Sequence, residues 1–129
     1  MNQYIIPISP GDLLDRITIL EIKIERIDSA EKKSNVKEEL EFLRNAWGEP
    51  EIEDIELVSM RSELKSINNT LWEIEDNIRL EERDKRFGDR FIELARSVYI
   101  SNDERARIKK CINLHLKSEI IEEKSYQSY

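Results

Sequence analysis

Two pairs of carboxylates, Glu38 with Glu41 and Glu73 with Asp76, stand three residues apart in this chain. On a helix that spacing puts both acids of a pair on one face, and two facing pairs can hold Mg²⁺ for phosphoanhydride hydrolysis. With 28 acids in 129 residues, composition alone supplies pairs at this spacing, and no metal ligand is assigned from them. A second group is more particular. At about 100° per residue, Asn68, Trp72 and Arg79 fall within about 40° of one another on a helix, with Glu75 and Asp76 alongside. Glu75 and Arg79 form an i, i+4 pair in the favourable order. A Trp flanked by amide and ionic groups can bind a planar or sugar-like ligand by stacking and hydrogen bonding. The same residues can instead make a buried polar patch that sets helix register or holds the C-terminal tail. Tandem Asn68-Asn69 costs helix propensity, so one of these uses must compensate it.

Charge is unevenly spread. Residues 54–84 hold nine acids and four bases, whereas residues 101–117 hold two acids and five bases, Arg105, Arg107, Lys109, Lys110 and Lys117. Docking of one segment on the other is the simplest use, and a basic face for a phosphorylated ligand is the sharper one. His115 stands alone, with no second His or Cys near it in sequence to build a zinc site. Cys111 lies on a mostly apolar row and reads as core rather than nucleophile. Ser9 and Ser125 have no partner pattern for covalent catalysis. Gly11, Gly48 and Gly88 read as helix punctuation. No catalytic residue and no cofactor is assigned.

The elements that would position these residues are helices. Apolar residues make up 39% of the chain and charged residues 38%, with three Gly and three Pro, a balance that suits long amphipathic helices. Tyr4 to Ile8 is an extended apolar lead-in, with Ile6 or Ile8 packing back onto the first turn. Ser9 caps a first helix over residues 10–29, with Pro10 at its first position and Asp12 completing a box-like arrangement. Leu13, Ile17, Leu20, Ile24 and Ile27 keep a four-three rhythm along it, widened by Ile19 and Ile22. A polar break over residues 28–34 precedes a helix over 35–47, which buries Val36, Leu40, Leu43 and Trp47 and stops at Gly48 and Pro50. The longest helix, 53–83, carries an apolar seam of Leu57, Met60, Leu64, Ile67, Leu71, Ile74 and Ile78. Phe87-Gly88-Asp89 turns the chain into a helix over 89–100, burying Phe91, Leu94, Ala95 and Val98. Ser101, Asn102 and Asp103 form a capping cluster before a fifth helix over 102–116, with Ile108, Cys111 and Ile112 inward. Residues 117–129 form a tail.

In order along the chain, SPGDLLDRITILEIK, LWEIEDNIR, FIELARSVYISNDERARIKKCIN and EEKSY resemble a family of short bacterial proteins classed as a domain of unknown function. The resemblance covers nearly the whole chain and implies one helical domain with no assigned activity. Read with that pattern, Asp15, Glu21, Trp72, Glu75, Asp76, Arg79, Asn102, Asp103, Arg105, Lys109 and Glu123 line one surface if the tail folds back over the long helix and the last one.

The expectation is an all-α bundle of about five helices in a single domain, residues 1–129, dimeric through the long helix, whose seam is regular enough to take a second copy. The candidate ligand surface is Asn68, Trp72, Glu75, Asp76, Arg79, Asn102, Asp103, Arg105, Lys109 and Glu123. A formal charge of −7 argues against nucleic acid and anionic membranes as partners, and no apolar run is long enough for membrane insertion. MNQYIIPISP has no basic start or cleavage site, and the lone cysteine fits a reducing cytoplasm. The function expected is non-enzymatic interaction or assembly. The alternative is a small enzyme or binding module for a phosphorylated or sugar-nucleotide ligand, with Arg105 and Lys109 on phosphate and Trp72 stacking.

Overall fold

The computed structural model describes residues 3–48 and 54–129, and among them every regular element is a helix. There are four: α1 (Pro10–Arg26), α2 (Ala30–Trp47), α3 (Ile55–Arg83) and α4 (Asp89–His115). The expected stop at Pro50 and start at Glu53 lie outside the described residues.

The helix starts follow from capping side chains. Ser9 Oγ accepts from the Asp12 amide at 3.2 Å, with Pro10 at the first position, as the sequence predicts. Asp12 does not complete a box; its carboxylate reaches Lys109 Nζ at 2.7 Å. Ile6 and Ile8 stay exposed instead of packing on the first turn. α1 ends at Arg26 because Ile27 turns extended, and Ser29 then caps α2 by accepting from the Lys32 amide at 3.3 Å. The polar stretch after Ser29 therefore continues as helix. It interrupts the apolar stripe but not the backbone, since Glu, Lys and Ala are good helix formers.

The expected fourth and fifth helices are one. Ser101, Asn102 and Asp103 sit in the middle of α4, and none of them caps. Capping requires the backbone to leave the helical region, and here the preceding and following turns keep it in. Among the described residues the count is four helices, not five. α4 is 27 residues and α3 is 29, so each runs about 40–45 Å.

α3 and α4 form an antiparallel hairpin. Asp54, the cap of α3, meets His115 at the end of α4, and Glu63 meets Arg107. α1 lies against both, antiparallel to α4: Gly11 contacts Asn113, Asp12 contacts Lys109, and Asp15 contacts Arg105. α2 packs on α1 from the other side. The core joins Leu13, Leu14, Ile17 and Leu20 of α1, Leu40 of α2, Leu57 and Leu64 of α3, and Ile108 and Ile112 of α4. Met60 and Ile67 pack against it, so this part of the α3 seam is covered within the chain. Ile74 and Leu94 are buried further along the hairpin. α1 reaches only as far as Glu73, through its last residue Arg26, whereas α3 continues to Arg83.

After α4, Lys117 takes a left-handed conformation (φ 54°) and the Ser118 amide bonds back to the Asn113 carbonyl at 2.8 Å. That reversal sends the tail back along α4. Among the described residues, no helix is long and apolar enough to cross a membrane.

Candidate functional site

Where α1 crosses the α3–α4 hairpin, a carboxylate is buried. Asp15 is 4% exposed, although it follows Leu13 and Leu14 on the inward side of α1. Its Oδ1 accepts from Asn68 Nδ2 at 2.9 Å and from Arg105 Nε at 2.9 Å, and its Oδ2 accepts from Arg105 Nη2. Asn68 also donates to Thr18 Oγ1 at 3.1 Å, and the Thr18 hydroxyl donates to the Asp15 carbonyl at 2.9 Å. Arg105 Nη1 reaches Asn102 Oδ1 at 3.4 Å. The bidentate bond to Asp15 holds the Arg105 guanidinium more firmly charged than usual, against the opposing effect of its burial.

One turn along α4 a second cluster continues the first. Lys109 lies between Asp12 of α1, at 2.7 Å, and Glu122 of the tail, at 2.8 Å. Burial pushes the Lys109 ammonium down, and its bonds to the two carboxylates outweigh that and leave it raised. Glu122 is held below the usual carboxylate range, first by its bond to Lys109. Beyond it, Asn113 Oδ1 accepts from the Gly11 amide at 2.7 Å, which satisfies one of the orphan donors of the first turn of α1. Gly11 is more than punctuation. A Cβ there would stand 2.6 Å from the Lys109 carbonyl oxygen, so the two helices touch backbone to backbone.

The tail is tied down on the far side of α4. Lys110 meets Glu123 at 3.4 Å, and the Tyr129 hydroxyl donates to Asp103 Oδ2 at 2.6 Å. That bond to Asp103 raises the phenol. The Tyr99 and Tyr129 rings pack with centroids 5.3 Å apart.

The predicted surface therefore divides. Asn68 and Arg105 come together on Asp15, with Asn102 on Arg105; Lys109 and Asp103 follow along α4 as partners of α1 and the tail, and Glu123 of the tail pairs with Lys110. Trp72 is elsewhere, half-buried with the Arg26 guanidinium 6.0 Å from its ring. Arg26 also reaches Glu73 and Asn69, which gives the second of the tandem asparagines its partner. Glu75 and Arg79 pair only with each other at 3.2 Å among the described contacts, and Asp76 is exposed. Glu38 and Glu41 lie exposed on α2, whose backbone packs on α1 and not on α3, so the two acidic pairs do not converge. No three His, Cys, Asp or Glu side chains among the described residues are placed to share a metal ion.

Asp15 enters from the sequence only through the family resemblance, and Asp12, Thr18, Asn113, Glu122 and Tyr129 are absent from the expected surface. One signal was available. Gly11, Asp15, Thr18 and Ile22 share one helical face, and a polar pair in that row requires partners from another element. The contacts of Asn113, Glu122 and Tyr129 depend on the reversal at Lys117, which periodicity does not encode.

The sequence model of a family of unknown function (DUF6165) matches residues 4–129. The chain belongs to that family. No curated protein and no solved structure matches it. Family membership thus attaches no chemistry to the Asp15–Arg105 cluster, and its geometry argues for a closed arrangement. Each Asp15 oxygen is taken up by donors from α3 or α4. A carboxylate so bonded is tied into the helix junction, and protonating it would weaken the bonds that hold α1 to α3 and α4.

Proposed function

We propose that this chain is a non-enzymatic helical interaction protein, one domain over residues 1–129, that self-associates through the distal half of its long hairpin. One contrast carries the reading. The charged groups that could have built an active site are spent on holding α1 and the tail to α4, while large apolar side chains of α4 stand exposed. Ile92 is 53% exposed and Ile100 46%, eight residues apart on α4 and therefore on one face. In a two-fold antiparallel pairing of α4 with its copy about Arg96, each Ile92 meets the partner's Ile100. That is the self-complementary arrangement an isologous contact requires. The α3 seam, the surface first expected for this purpose, has its Leu57–Ile67 stretch filled by α1 and α4 of the same chain. A location in the cytoplasm accords with the lone, unpaired Cys111.

Light scattering on the eluting chain at micromolar concentration tests this. The expected mass is twice that of one chain, falling to one chain in the double variant Ile92→Arg, Ile100→Arg. A wild-type monomer at that concentration defeats the proposal. The alternative, a site for a phosphorylated or sugar-nucleotide ligand, loses support because Arg105 and Lys109 are already paired and Trp72 is not beside them. A thermal-shift screen with nucleotides and sugar nucleotides, with and without Mg²⁺, separates the two readings. Stabilisation abolished by both Arg105→Ala and Trp72→Ala would restore the alternative.

A further inference from the structure

The tail does not lie flat on α4. Between Val98–Asp103 and residues 124–129 the structure leaves a half-open groove of about 830 Å³, large enough for a small molecule. Its wall includes three tyrosines, Tyr99, Tyr126 and Tyr129, together with Asn102, Asp103 and Lys124. Tyr99 and Tyr129 form a corner, their planes tilted by 58°. From these features we infer a binding site for an organic cation, a primary or quaternary ammonium attached to an apolar or aromatic body. This goes beyond the self-association proposed above and does not rest on it.

Three observations favour a cation over an anion. Aromatic faces carry negative quadrupole potential, and three tyrosines line this one space. Asp103 supplies a full negative charge in the same wall, with its Oδ2 engaged by the Tyr129 hydroxyl and no described bond on its other oxygen. The third is that a cation already uses this surface. Lys124 Nζ lies 5.6 Å from the Tyr126 ring centroid while pairing with Glu122 at 3.3 Å. The one basic side chain in the wall leans on Glu122, which it shares with Lys109, and its place over Tyr126 shows where an ammonium sits. The chain's net charge of −7 adds long-range attraction of the same sign.

The test is a ¹H–¹⁵N NMR titration of the full chain with benzyltrimethylammonium and, separately, with benzenesulfonate, a probe of similar size and opposite charge. The expected result is saturable shifts confined to residues 98–103 and 124–129 with the cation, and binding at least about tenfold weaker with the sulfonate. Tyr126→Leu and Asp103→Asn should each weaken the cation by about three- to tenfold. Lys124→Gln gives the decisive sign. Removing a resident cation from the wall should tighten benzyltrimethylammonium, whereas in an anion site the same change would weaken the sulfonate and leave the cation unaffected. Equal or stronger binding of the sulfonate, shifts centred outside the groove, or no saturable binding of the cation at millimolar concentration would each overturn the inference.

Discussion

Gly11→Ala should destabilise this protein far more than Gly88→Ala. The new Cβ would stand 2.6 Å from the Lys109 carbonyl oxygen and 2.8 Å from Asn113 Oδ1. The first of these is backbone in the middle of a 27-residue helix and cannot rotate away. α1 must therefore lift from α4, and overpacking of this kind costs about 1–3 kcal/mol. Lifting also stretches the 2.7 Å bond from the Gly11 amide to Asn113, and an unsatisfied buried partner costs about 1–3 kcal/mol. Against these stands the helix preference of Ala over Gly, at most about 1 kcal/mol and less in a first turn. The net expectation is a loss of roughly 2–4 kcal/mol, a large share of the 5–15 kcal/mol typical of a folded chain.

Urea denaturation followed by circular dichroism measures it. With a slope of about 1–3 kcal/mol per molar, the midpoint should fall by roughly 1–3 M. Gly88→Ala is the matched control, because nothing lies within 4 Å of a Cβ there. Asn113→Ala combined with Gly11→Ala separates the two causes: if the Lys109 carbonyl dominates, the double variant recovers nothing. A Gly11→Ala protein as stable as wild type would refute the close approach of α1 and α4, and with it the placement of Asp15 beside Arg105.

Further outcomes follow from the same contacts. Asp15→Ala strands the Arg105 guanidinium and the Asn68 amide, at a cost of roughly 2–4 kcal/mol given that Arg105 is partly exposed. Asp15→Leu with Arg105→Met should cost less than the two single changes summed, and simple additivity in urea melts would mean that the pair is not coupled. His115 places one ring nitrogen 3.0 Å from Asp54 and the other 3.2 Å from Glu56, and its bond to Asp54 raises its pKa. A raised histidine contributes stability that is fully present below its unfolded value of about 6.5 and is lost as pH rises through the higher folded value. Thermal melts of wild type against His115→Gln should therefore converge on the alkaline side, and a difference that grows with pH would contradict the contact. Lys85 and Lys117 both hold left-handed backbone, φ 56° and 54°, so Lys85→Gly and Lys117→Gly should each raise the urea midpoint, by about 1 kcal/mol of stability. Destabilisation in both would show that the lysine side chains outweigh the strain.

Helices were legible because the apolar rows are long and regular. Leu13, Ile17 and Leu20 of α1 and Leu57 and Leu64 of α3 are buried as their spacing predicts. A helix start was legible where a capping residue coincides with a change of backbone, as at Ser9, whereas the Asp54 cap of α3 was not singled out. Helix ends were misread where composition resembled a cap but packing kept the chain helical. Ser101 is buried, and Asn102 and Asp103 spend their oxygens sideways on Arg105 and Tyr129. The candidate site was legible at Asn68 of α3 and at Asn102, Arg105 and Lys109 of α4, and at α1 only through the family resemblance. Its acidic centre, Asp15, sits in an apolar stretch whose helical phase marks it as inward, and the bundle supplies the partners that a single helix cannot show.

The position of Asp15 also bears on why α1 docks in one place. Leu13, Ile17 and Leu20 present an apolar row that would fit the groove between α3 and α4 nearly as well after sliding by one turn, about 5.4 Å. Such a slide would carry the carboxylate away from Asn68 and from the bidentate grip of Arg105, and a buried charge without partners costs several kcal/mol. It would also bring a residue with a Cβ to the backbone contact that Gly11 now makes with Lys109. The ion pair need not add net stability to act in this way. It has only to make each alternative register worse than the native one, while the apolar row supplies the attraction common to all of them. On that account the most chemically suggestive cluster in the molecule determines where α1 sits, and ligand or partner recognition falls to the surfaces that α1 leaves uncovered.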